Sequence, residues 1–252
     1  MIGAGVFVLP AALSKYGSIG LLGWFVSAFG AIILALVFSR LSRIISDKSG
    51  GPYAYSKDGF GDFIGFLVAW GYWVSTWIGN SAIVVSIIGA SGFFFPSLTN
   101  NPTYSVLYGI SIIWILTYIN TRGIKDSAIV QILTTIIKLV SLLIVILLGI
   151  FFFDLSIFPK FNLTNESNIS IIPIVASLTL YAFLGIESAS IPAEHVKNPK
   201  KNISKATMIG TLICVLVYIL GTSVLFGLLP AEIMQNSPAP FVDAAEKIGG
   251  KY

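Results

Sequence analysis

Two short stretches offer backbone chemistry: Ile2-Gly3-Ala4-Gly5 near the start of the chain, and Tyr181-Ala182-Phe183-Leu184-Gly185, with Glu187 and Ser188 just after it, inside a later apolar run. Glycine at these places predicts interrupted helices. In hydrocarbon an unpaired backbone N–H or C=O is costly, so irregular backbone persists at membrane depth only where it lines a cavity or holds a ligand. Free N–H groups at Gly3 to Gly5, beside the positive end of the helix that starts there, suit a carboxylate. Carbonyls orphaned between Ala182 and Gly185 suit an ammonium group. Together the two stretches match the ends of an α-amino acid. The competing reading is that the glycines only let helices pack closely. For the first stretch alone the two readings balance; for both jointly, ligand binding is favoured.

Several side chains join them. Glu187 follows Gly185 inside the apolar run, where a lone carboxylate costs at least ~2.5 kcal/mol unless it meets water or a partner. It should face a cavity as a gate or proton carrier, or cap the half-helix that follows. Lys138 sits about one third into another apolar run. It either snorkels ~15 Å to an interface or acts as an internal cation whose titration couples a transport step to protons. In Tyr72-Trp73-Val74-Ser75-Thr76-Trp77-Ile78-Gly79-Asn80, helical spacing puts Trp73, Trp77 and Asn80 near one stripe, with Ser75 and Thr76 beside them. Aromatics with an amide suit a cationic or polar group. His195, the only histidine, and Cys214, the only cysteine, have no companions for catalysis, a disulfide or a metal site. Neither a cofactor nor a metal is expected, and no residue set for an enzyme is present.

The elements that must position these residues are membrane helices. Of 252 residues, 56% are hydrophobic and 10% charged, and the mean hydropathy is +0.89, far from an ordinary soluble domain. Apolar runs at about 20–39, 63–95, 105–120, 127–153, 171–193 and 204–229 predict six spans, most near the ~20 residues a crossing needs. Residues 1–13 make a seventh, partial run with no basic segment before it, so they do not read as a signal peptide. The tail 230–252 reads as an amphipathic surface segment. Ten of the fifteen cations (Arg40, Arg43, Lys48, Lys57, Arg122, Lys125, Lys197, Lys200, Lys201 and Lys205) fall on one side of this topology. The other side holds Lys15, Lys160, Lys247 and Lys251. The basic side should be cytoplasmic. These clusters abut spans and lack interleaved aromatics, which argues against nucleic-acid binding.

Four motifs resemble the amino acid/polyamine/organocation (APC) superfamily, nearest its basic amino acid/polyamine (arginine/agmatine) antiporters. They are Gly3-Ala4-Gly5-Val6-Phe7 with Leu9-Pro10; Gly50-Gly51-Pro52-Tyr53-Ala54-Tyr55; Trp77-Ile78-Gly79-Asn80; and Gly185-Ile186-Glu187-Ser188-Ala189-Ser190 followed by Val196-Lys197-Asn198-Pro199. The resemblance implies an all-α polytopic fold of two inverted five-helix repeats, with helices one and six broken around the substrate. It implies that Ile2 to Gly5 hold the carboxylate, Ala182 to Gly185 the amino group, and Trp77 and Asn80 the side chain, with Tyr72, Tyr181 and Glu187 in gating. Ala4 and Tyr181 depart from the serine and tryptophan of the antiporter, and Lys138 resembles the fifth-helix lysine of other members, including proton-coupled ones. Substrate and coupling ion therefore stay open.

The resemblance also implies that residues 1–252 form one membrane domain that is a fragment. Half of helix one and everything from helix eight onward would be absent, with Met1 falling where the family has mid-helix sequence. The expected function is secondary transport of an amino acid or its amine product across the plasma membrane. The alternative is a transport-inactive remnant, or a fragment completed by the missing helices as a second chain or by a homodimer.

Overall fold

The structure, a computed structural model, describes residues 2–45 and 48–250; Met1 and Lys251, which figure in the expectations above, lie outside them. The described residues contain α-helices and 3₁₀ turns but no strand. The helices are α1 (Ala4–Ser14), α2 (Gly20–Ile44), α3 (Pro52–Phe60), α4 (Asp62–Gly92), α5 (Ser97–Asn100), α6 (Pro102–Thr121), α7 (Ile124–Phe151), α8 (Asn168–Leu180), α9 (Pro199–Leu228), α10 (Ala231–Asn236) and α11 (Pro240–Ile248). Six segments are long and apolar enough to cross a bilayer: α2, α4, α6, α7, α9 and the stretch Asn168–Ser190 that contains α8. The protein is thus an all-α polytopic membrane protein, as the six apolar runs predict.

Local chemistry sets the ends of these helices. At the start of α6 the Asn101 side chain accepts the Thr103 N–H at 3.0 Å, and Pro102 occupies the first turn, where no N–H is needed. Ser167 caps α8 in the same way through the Ser170 N–H.

The chain divides into two compact units, one of Met1–Ile2, Ile19–Gly79 and Glu166–Ile219, the other of Gly3–Ser18, Asn80–Asn165 and Leu220–Tyr252. In the first, α2 packs on α8 through small residues. Gly20, Gly23, Ser27, Ala28, Ala31 and Ala35 are all buried along one face of α2, the arrangement by which membrane helices approach closely. A Cβ on Gly23 would lie 2.6 Å from the Val175 carbonyl oxygen. Ser27 Oγ donates to the Ala176 carbonyl at 2.8 Å and lies 2.7 Å from Thr179 Oγ1.

In the second unit, α11 buries Phe241 and Ala244, and the Phe241 ring meets Phe7 of α1 edge-on at 5.7 Å. The tail expected to lie on the surface is therefore docked by its apolar side. Its amphipathic pattern is real, but protein rather than lipid or water covers the apolar face. Lys247 Nζ donates to the Leu228 carbonyl at 2.6 Å, satisfying one of the orphan acceptors at the end of α9.

Candidate functional site

The stretch after Leu180 departs from α-helix where the glycine pattern predicts. Tyr181–Phe183 forms a 3₁₀ turn, Leu184 is extended (φ −59°, ψ 141°), and Gly185 is left-handed (φ 95°, ψ 11°). A left-handed residue is strained for any side chain with a Cβ, so glycine is what allows the chain to turn here. The extended Leu184 takes its own carbonyl out of the helical ladder. Beyond the break the structure differs from the expected second half-helix: Ile186–Ser190 and Ala193–His195 are short 3₁₀ turns. Pro192 explains the change, because it has no N–H with which to continue an α-ladder.

Three aromatic side chains hold the break from behind. Trp24 of α2, Phe183 and Tyr218 of α9 are buried, with ring centroids 4.9 to 6.1 Å apart. The Tyr218 hydroxyl donates to the Ala182 carbonyl at 3.0 Å. The freed Ala182 carbonyl is thus satisfied on one side, and a carbonyl oxygen has a second lone pair to offer. The Gly185 carbonyl accepts the Ser188 N–H at 3.2 Å.

In front, Tyr72 of α4 reaches the break. Its hydroxyl donates to Glu187 Oε1 at 3.2 Å. The turn that begins at Gly185 has no side-chain cap. Tyr181 and Leu184 are exposed, Ala182 is buried, and Gly185 is half-buried. Ser75 Oγ and Thr76 Oγ1 both donate back to the Tyr72 carbonyl, at 2.9 and 2.8 Å, which leaves their lone pairs as acceptors. Trp77 is exposed, as is Trp73, whose ring lies 6.4 Å from it.

The helix α3 sits beside the same stretch. The Gly50 N–H donates to the Ile191 carbonyl at 3.0 Å, and Ser49 and Glu194 exchange two hydrogen bonds. Burial raises the Tyr55 phenol above its ordinary value, partly offset by a hydrogen bond with Ser190. The Gly-Gly-Pro-Tyr motif therefore braces the far side of the break.

The remaining candidates, Ile2 excepted, belong to the second unit. Gly3, with an extended backbone and no side-chain cap, precedes α1, so the N–H groups of Ala4 and Gly5 fall in the first turn, outside the helical ladder. Ile2, which falls in the first unit, is half-buried. Asn80 is exposed on α4. Lys138 is half-buried at the middle of α7, not one third along it, because the helix starts at Ile124 rather than near Ala128. Fourteen residues at the helical rise put it ~21 Å from that end, which lengthens any snorkelling path.

A family model described as amino acid permease matches residues 1–252. The chain belongs to the amino acid permease family. It is 36% identical over 228 residues to an arginine/ornithine antiporter of Pseudomonas aeruginosa, covering 87% of this chain and 47% of that protein. It is 34% identical over 254 residues to an arginine/agmatine antiporter of Chlamydia pneumoniae, covering 95% of this chain and 52% of that protein. With a cadaverine/lysine antiporter of Escherichia coli K12 the identity is 35% over 253 residues, all of this chain and 56% of the relative. The chain thus spans about half the length of the curated relatives it matches.

Trp24 and Tyr218 do not appear among the residues that motif reading selects, although both support the break. A signal for each was present. Trp24 lies within the small-residue stripe of α2, and a tyrosine deep in an apolar span needs a hydroxyl partner.

Proposed function

We propose that this chain is part of a secondary transporter that exchanges a basic amino acid for its amine product, or imports one with protons, across the plasma membrane with its basic loops in the cytoplasm. The observation that carries this reading is the interruption at Leu184–Gly185, held by Tyr218 behind and met by the Tyr72–Glu187 pair in front. In the proposal the carbonyls of Ala182 to Gly185 receive the ammonium end of the substrate. The N–H groups of Ile2 to Gly5 receive its carboxylate. Trp77, Asn80, Ser75 and Thr76 contact its side chain, and Tyr181 and Leu184 flank it. Tyr72 and Glu187 gate, and Lys138 couples the cycle to protons. Support comes from the family, from three antiporters of basic amino acids and their amines, and from the break itself. No residue set for enzymatic chemistry enters the proposal, and neither does a cofactor.

The test is counterflow in liposomes with labelled arginine, ornithine, lysine, agmatine and cadaverine. It uses the chain alone, and the chain coexpressed with the second half of one of the antiporters. Saturable exchange abolished by Glu187→Gln and Gly185→Val is expected. No exchange of any of the five in either arrangement overturns the proposal.

A second reading, a chain active only with partner helices or not at all, is favoured by the bare faces of α4 and α6, on which only Gly65 and Gly109 are buried. It predicts exchange only after coexpression, or none, and it fails if the chain alone transports.

A further inference from the structure

The start of α9 is electrostatically unsatisfied. Lys200, Lys201 and Lys205 lie in its first two turns, with no acidic residue in the first. Cations belong at the other end of a helix, since the positive pole of the backbone dipole lies here. Lys201 and Lys205 also stand as a like-charged i,i+4 pair, which costs helix stability. A fourth cation, Arg43 from the last turn of α2, is fixed beside them. Its Nε and Nη2 donate to Ser204 Oγ at 3.0 and 2.7 Å. Ser204 is buried, and its Oγ is 2.5 Å from Ser39 Oγ. With both lone pairs of Ser204 engaged by Arg43, its proton goes to Ser39, and three of the five guanidinium N–H donors are not used by this contact.

Arg43, Lys200, Lys201, Ser204 and Lys205 line a single cavity of about 340 Å³. Among the described residues the ion pairs are Lys48–Asp58, Lys57–Asp62 and Arg122–Asp126, and none of these involves the four cations of the cavity. The two-point contact of Arg43 with the buried Ser39–Ser204 pair distinguishes the place from a loose row of surface lysines. It holds one guanidinium in a set position, at a cost in rotamer freedom, and the three exposed lysines line the same open cavity. A tetrahedral oxyanion accepts hydrogen bonds from a guanidinium fork and from several ammonium groups at once.

We propose that this cavity binds a phosphate group, supplied by an anionic phospholipid headgroup or by soluble phosphate. The lipid source suits its position at the polar end of a membrane-spanning helix, where basic pockets meet headgroups. The bound anion neutralises the like charges at the head of α9 and joins it to the end of α2. It stands apart from the helix break and does not depend on the transport reading.

Native mass spectrometry and thermal unfolding of the 252-residue chain in detergent test it, with phosphatidylglycerol, phosphatidylcholine or inorganic phosphate added. Phosphatidylglycerol should be retained at several-fold higher occupancy than phosphatidylcholine. That excess should fall several-fold in Arg43→Gln and in the combined Lys200→Gln, Lys201→Gln, Lys205→Gln variant. It should persist when the same three lysines are replaced by arginine, which keeps the charge. Arg122→Gln with Lys125→Gln and Lys160→Gln, three charges removed elsewhere, should leave it intact. Circular dichroism checks that each variant keeps its helices, and Lys201→Gln alone serves if the triple variant does not. Stabilisation by inorganic phosphate with the same dependence on Arg43 identifies a soluble ligand; selectivity for phosphatidylglycerol alone identifies the lipid. Equal loss in the control variant, or no preference of the unmodified chain for either phosphate source, overturns the proposal.

Discussion

Two groups of three aromatic residues in the first unit have opposite environments. Trp24, Phe183 and Tyr218 come from α2, the break and α9, and are 0%, 2% and 0% exposed. Trp70, Trp73 and Trp77 follow one another along α4 at ring distances of 5.3 and 6.4 Å, and each is more than half exposed. The first group joins three elements and braces an irregular backbone. The second decorates one helix that would be helical without it. An aromatic residue in a membrane segment is therefore structural where backbone pairing fails nearby, because there the freed carbonyl needs both a donor and a packed wall. Elsewhere it is a surface offered to lipid, substrate or further helices.

The largest expected effect separates the two groups directly. Trp24→Ala should lower unfolding stability in detergent by about 3 kcal/mol or more, as large cavities in packed cores do. Trp77→Ala should cost less than about 0.5 kcal/mol. Equal losses would break the comparison. Next, Tyr218→Phe keeps the ring but leaves the Ala182 carbonyl without its donor, for a loss of about 1–3 kcal/mol. An unchanged midpoint would mean that this carbonyl finds another donor.

Glycines on the two sides should respond with opposite sign. Gly23→Ala forces a Cβ against the Val175 carbonyl and should destabilise by about 1–2 kcal/mol. Gly71→Ala, where the added methyl meets open space on α4, should stabilise by up to about 1 kcal/mol through helix propensity. Parallel thermal melts of the two variants check the signs. The smallest effect concerns the point where the exposed helix meets the break. Tyr72→Phe removes the hydrogen bond to Glu187 and should cost about 0.5–1 kcal/mol. It should alter exchange rate more than stability if the pair gates, and a counterflow rate equal to that of the unmodified chain would remove Tyr72 from the gate.

Much of this was legible in the residues. Gly185 within an apolar run, with Glu187 two positions on, marked the break to within a residue. The tail 230–252 read as an amphipathic surface segment, but its docking through Phe241 on Phe7 was hidden, because an amphipathic face does not say what covers it. Lys138 was misplaced along its helix because Ile124-Lys125-Asp126 looked like loop, whereas α7 starts there, with Arg122 and Asp126 paired at its first turn. Trp24 and Tyr218 went unnoticed because their partners lie far away in sequence, and Arg43 is 161 positions from Ser204.

The sequence by itself determined the spans, the broken stretch and the lopsided distribution of basic residues. In a bilayer each segment must satisfy its own backbone, so apolar length and glycine placement act locally and can be read locally. Only the tertiary structure decided which aromatics form a wall, which hydroxyl reaches a freed carbonyl, and which cations share a cavity. Lipid tails are as apolar as a packed interior, so hydropathy cannot distinguish a helix face that meets protein from one that meets hydrocarbon. That distinction rests on shape, on Gly23 against Val175 and Tyr218 against Ala182, and shape exists only once the helices are together.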